Sequence, residues 1–119
     1  MSIPNNASTP IPSGSFSLMN LCGRVIFDGS NFNDWIENII MVIRYEEKEY
    51  VLDKELKEID VTTASPEQIV EHTNHERDAT KVSCLMIATM TAELHKSYQD
   101  YYPYEMYHDL MERYHQSAR

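Results

Sequence analysis

The chain has 119 residues, enough for one domain with a modest core, and its apolar fraction of 42% lies well above the disordered regime. Asp and Glu number 19 against 10 Lys and Arg, a formal net charge of -9 that repels phosphate backbones and anionic headgroups, so direct binding of nucleic acid or membrane is not expected. No apolar run approaches the roughly 18 residues of a membrane span, and the start MSIPNNASTP lacks the regions of a signal peptide, so the expectation is a soluble, intracellular chain. Cys22 and Cys84 are too few and too far apart for a disulfide scaffold or a zinc ribbon, and they read as reduced, small hydrophobic residues.

Residues 1–15 hold Pro4, Pro10, Pro12 and Gly14 among Ser, Asn and Thr, which stop both helix and central strand. They are expected to form a flexible or extended arm, with the helical domain at 16–119. FSLMNLCGRVIF follows as a short helix or an extended segment laid across the core. From Asn31 the pattern turns helical: Phe32, Trp35, Ile36, Ile39, Ile40 and Ile43 recur at helical spacing and define one apolar face, opposite Asn33, Asp34, Glu37, Asn38 and Arg44. Ser30 or Asn31 is expected to cap this helix through its side-chain oxygen, and the helix is expected to run to about Lys48. A short turn of helix around Tyr50, Val51 and Leu52 and then a loop come next.

Ser65-Pro66-Glu67-Gln68 is a second helix start, with Ser at the cap, Pro at the first helical position and Gln placed for a capping box. The helix it opens carries Ile69, Val70, Ala79, Val82, Leu85, Met86 and Met90 at helical intervals, polar at first and apolar at the end, which implies an exposed first half and a buried second half. Thr91 can cap a fresh short helix, and Pro103 starts a last one in which Met106, Tyr107, Leu110, Met111 and Tyr114 share a face. The fold class expected is all-α, a small bundle of about five helices. Its helix entry and core are assigned to Phe32, Trp35, Ile36, Ile39, Ile43, Leu85 and Leu110.

Chemical constellations are sparse. Asp28-Gly29-Ser30 has the composition of an aspartic protease loop in the wrong order, and turn and cap chemistry accounts for it. His72, His75 and Glu76 lack the H-E-x-x-H spacing and are read as a solvated helix face, although a helical metal-dependent hydrolase using His72 and His75 is a conceivable alternative. Met86, Met90, Met106 and Met111 read as adaptable core filling. Tyr98, Tyr101, Tyr102, Tyr104 and Tyr107 read as half core and half contact surface. No nucleophile elbow or Gly-rich phosphate loop occurs, so no catalytic, cofactor-binding or metal-binding residue is assigned and an enzyme is not expected.

Three blocks, LCGRVIFDGSNFNDWIENIIMVIRYEEKEYVLD, RDATKVSCLMIATMTAELHKSY and YEMYHDLMERYHQSAR, occur in this order. Together they resemble the Gag polyprotein of plant Ty1/copia-type long-terminal-repeat retrotransposons, and the resemblance spans roughly residues 21–119. It implies the N-terminal domain of a capsid, a helical bundle like retroviral capsid domains, which self-associates with other Gag copies into cytoplasmic virus-like particles. The family's second helical domain and its zinc knuckle, C-x2-C-x4-H-x4-C, do not occur in these residues. By the same analogy the first helix is a contact element, and Glu37, Asn38 and Arg44 on its polar face are the candidate self-association surface. The alternative is a host-adopted Gag-like module that binds a peptide or helix in a hydrophobic groove.

Overall fold

The computed structural model describes residues 25–115. The arm expected at 1–15, most of FSLMNLCGRVIF and Cys22 lie outside the described residues. Among the described residues five helices follow one another: α1 (Phe32–Tyr45), α2 (Tyr50–Asp53), α3 (Pro66–Ala88), α4 (Ala92–Tyr98) and α5 (Pro103–Tyr114). Among the described residues no strand forms, apart from an isolated parallel bridge between Phe27 and Met90. The chain is all-α, a small helical bundle.

The start of α1 departs from expectation. Asn31 stands at the cap position, but its side chain makes no capping bond. Instead its Oδ1 accepts from the Asp28 amide at 3.0 Å and its Nδ2 donates to the Ile26 carbonyl at 2.8 Å. Asp28 Oδ1 in turn accepts from the Ser30 amide and hydroxyl at 2.9 and 2.7 Å, which holds the Asp28 carboxyl below its usual range. These Asx-type bonds fold the chain through Gly29, whose φ of +97° is open to glycine at no steric cost. The polar side chains are thus consumed by the turn before the helix, and α1 is seated by its apolar stripe. Phe32, Trp35, Ile36, Ile39, Val42 and Ile43 are all buried.

α1 ends at Tyr45, a turn short of the expected Lys48. Nothing in RYEEKEY breaks a helix by composition; the chain reverses because Val51 and Leu52 of α2 must reach the core, where both are buried. Lys48 N bonds to Ile43 O at 2.8 Å and Glu47 N to Arg44 O at 3.0 Å, the paired bonds of a Schellman ending. Glycine is usual at the left-handed position of that ending, and here Glu47 occupies it with φ of 61°. Glu47→Gly is therefore expected to stabilise the protein by about 0.5 to 1 kcal/mol, because the relieved steric cost exceeds the entropy that glycine adds to the unfolded chain. A urea midpoint that falls in this variant would contradict the strain.

α3 begins as its sequence dictates: Ser65 Oγ accepts from the Gln68 amide at 3.1 Å, and Gln68 Oε1 accepts from the Ser65 amide at 2.8 Å. Its buried residues are His75, Ala79, Val82, Ser83 and Met86, one stripe confined to the second half and the centre. Two expectations fail on that stripe. Cys84 falls beside it and is exposed, and Leu85 is only half-buried, packing against the core from outside while Met86 fills it. α5 packs against α2 and α3, placing Met106 and Leu110 at the centre with no exposed surface. Thr91 holds the cap position of α4 without a side-chain bond, and Pro103 opens α5.

Candidate functional site

The outward face of α1 is the surface on which the sequence places the contact residues. Glu37 and Arg44 are exposed there and Asn38 is half-buried. Arg44 is already engaged: its Nε and Nη2 fork onto Glu49 Oε1 and Oε2 at 2.8 and 2.9 Å. The fork holds the Glu49 carboxyl below its usual range and the guanidinium above its own, so Arg44 braces the reversal after α1 before it meets any partner.

Sequence reading missed the residues that dominate this face. Met41 is 66% exposed and Tyr45 is 70% exposed, the most exposed large apolar side chains among the described residues. They stand one turn apart in register on the helix. Met41 lies about two and a half turns after Phe32, directly opposite the buried stripe. The signal was available in that arithmetic, but IIMVI reads as uniformly apolar and conceals which of its members points away. Asp34 and Glu37 on one end and Arg44 on the other frame the pair.

A second feature is an open groove of about 910 Å³ beside α3. The connection 54–64 forms one wall with Lys54, Lys57 and Ile59, α3 forms the other with Gln68, Glu71, His72 and His75, and Tyr104 of α5 closes an end. Lys54 reaches across to Glu71 at 3.7 Å between two well-exposed side chains, a contact worth little in water. The solvated-face reading of the histidines holds for neither partner in full. His75 is 6% exposed, because α2 lays the Tyr50 ring against it at 5.3 Å, while His72 is half-buried and Glu76 is exposed. The three therefore do not converge, and no group of three or more His, Cys, Asp or Glu placed to hold a metal exists among the described residues.

Comparison of the chain with protein-family models, with characterised proteins and with solved structures returned no match. Two tyrosine–carboxylate bonds lock the helices that carry these surfaces. Tyr50 Oη donates to Asp78 at 2.6 Å, tying α2 to α3, and partial burial followed by the Asp78 carboxylate pushes the phenol up to about 12. Tyr98 Oη donates to Asp109 at 2.6 Å, tying α4 to α5, and burial first, then Asp109, raises that phenol further. Asp109 also accepts from Arg113 at 3.0 Å. The tyrosine-rich segment thus divides between frame and surface: Tyr98 is buried, Tyr104 and Tyr107 are half-buried, and Tyr101 and Tyr102 are exposed. Among the described residues no helix is long and apolar enough to cross a membrane.

Proposed function

We propose that this chain is a capsid domain of a copia-type Gag polyprotein, which works by weak self-association of copies into a cytoplasmic shell. The resemblance of the three sequence blocks supports the reading, and the all-helical bundle is compatible with it. The observation that carries it is the pair Met41 and Tyr45, left about two-thirds exposed on the outer face of a helix whose inner face anchors the core. Apolar side chains aligned on a rigid element, with charge around them, have the make-up of a contact core and rim. A shell needs one contact repeated under rotation, and each contact must be weak enough to let errors dissociate.

The surface charge adds a condition. Copies that each carry a formal -9 repel one another, and salt screens that repulsion more strongly than it weakens an apolar contact. Self-association at high protein concentration is expected to rise with ionic strength and to be lost in a Met41→Glu, Tyr45→Ser variant that retains its helical circular dichroism. Sedimentation and light scattering measure the first, and electron microscopy looks for particles. A wild-type chain that stays monomeric at high concentration and at every salt tested would sink the shell reading.

The groove beside α3 favours one other reading, a host-adopted module that takes a peptide or helix from a partner. Its walls carry both charge signs together with Ile59 and Ala64, a lining suited to a mixed segment. Binding to such a partner by a monomer, unaffected by Met41→Glu, would select this alternative.

A further inference from the structure

Among the described residues, His75 Nε2 is the buried side-chain nitrogen or oxygen that has no hydrogen-bond partner. Buried polar atoms are paired in nearly all cases, so an unpaired one calls for a structural or functional reason. We propose that His75 is the latch of an acid-operated release: the neutral ring holds the connection 54–64 against α3, and its protonation frees that connection and widens the groove. The proposal does not depend on the capsid reading.

The geometry supplies a reason for closure and a reason for release. An imidazolium has two donors to satisfy and a charge to solvate, and Nε2 is buried with no protein partner. The groups around it are mixed. α2 contributes the Tyr50 ring at 5.3 Å, the connection contributes Lys54, α3 contributes Glu71, His72 and Asp78, and α5 contributes Tyr104. Burial disfavours the charged ring first, and the Lys54 ammonium next. Main-chain bonding at Lys54 and the Asp78 carboxylate oppose them, and the net result holds His75 below the ordinary value of 6.5. A neutral folded ring and a protonated unburied one differ by one proton. The closed form is therefore fully favoured above 6.5 and loses ground as pH falls through the folded value of His75.

What gives way is the connection and not the helices. The backbone bonds of the connection stay local: Lys54 N to Tyr50 O, and Thr63 N and Ala64 N to Asp60 O. Its ties to α3 are the exposed Lys54–Glu71 contact and the bond between the Lys54 main chain and the His75 ring, and Leu56 is its partly buried anchor. α2, by contrast, is held by buried Val51 and Leu52 and by the Tyr50–Asp78 bond. Glu71 lies one helical turn before His75, the favourable order for a carboxylate and a cation on one helix face. Once the charged ring leaves its buried place for water, its bond to the Lys54 main chain is given up and Glu71 can exchange Lys54 for His75, which leaves Leu56 as the connection's anchor.

Nuclear magnetic resonance of the whole chain tests this directly. The His75 ring is expected to titrate below 6.5. Backbone signals of 54–64 should move toward unfolded positions with the same midpoint, while those of α1, α4 and α5 hold. Through the transition the open population should rise about tenfold per pH unit, the slope of a single coupled proton. His75→Gln, which cannot charge, should abolish the transition. The latch is overturned if His75 titrates at or above 6.5 with 54–64 unmoved, if all helices are lost together, or if the Gln variant keeps the transition at the same midpoint. Should that variant fail to fold, the two wild-type titrations decide alone.

Discussion

Trp35→Ala is expected to destabilise the protein by about 3 to 5 kcal/mol, a large part of the total stability of a domain this size. Trp35 has no exposed surface and stacks on Phe27 at 4.8 Å with an interplanar angle of 18°. Its Nε1 donates to Thr89 Oγ1 at 2.9 Å, and that hydroxyl lies within hydrogen-bond distance of the Leu85 and Met86 carbonyls at the end of α3. Truncation therefore leaves a cavity and also strips a partner from a buried hydroxyl. Trp35→Phe separates the two losses: it keeps most of the ring stacking, and its cost of about 1 to 3 kcal/mol reports the missing donor. Denaturant unfolding followed by circular dichroism measures both. An alanine variant as stable as wild type would show that the ring is not where the fold's cohesion lies, and one that stays folded but stops self-associating would make Trp35 a contact residue after all.

The second large effect is expected outside any helix. Phe27→Ala should cost about 3 to 5 kcal/mol, as much as a central helix residue. Its ring is fully buried and meets Phe32 at 5.7 Å, Trp35 at 4.8 Å and Tyr114 at 5.1 Å, so one side chain joins the start of α1 to the end of α5. The main-chain bonds from Phe27 N to Thr89 O at 2.8 Å and from Thr91 N to Phe27 O at 3.0 Å survive the substitution, which isolates the ring's contribution. Because Phe27 and Trp35 touch, the double variant should cost less than the sum of the single ones, with a coupling of about 0.5 to 1.5 kcal/mol. Strict additivity would mean that the two rings act independently despite their stacking.

The helices were legible in the sequence because local rules set them. Ser65 and Gln68 write the capping box in four residues, Pro103 marks a first turn, and the period of Phe32, Trp35, Ile36, Ile39 and Ile43 sets the buried face of α1. What was not legible depends on distant partners. Asn31 looks like a cap until the Ile26 carbonyl and the Asp28 amide compete for its amide group. His75 looks solvated until α2, which arrives from a separate stretch of chain, lays Tyr50 over it. Cys84 and Leu85 sit in an apolar run whose period is blurred, so one residue of phase decides which of them is buried, and the stripe through Val82 and Met86 leaves both aside. On the outward face of α1, the spacing predicts the exposure of Glu37 and Arg44 but not the half-burial of Asn38, and Met41 at the centre of that face is hidden among its apolar neighbours.

The bridge between Phe27 and Met90 also has a kinetic meaning. It joins stretches far apart in sequence, as does the Trp35–Thr89 bond with its separation of 54 residues. Closing a loop of that length costs entropy before any contact repays it, whereas the contacts inside α3 or between α4 and α5 are local and form early. The clasp is thus placed late in folding and first in unfolding. Substitutions at Phe27 should speed unfolding while leaving the folding rate nearly unchanged, so the lifetime of the native state is set at the edge of the first helix, away from the long helix that looks most substantial.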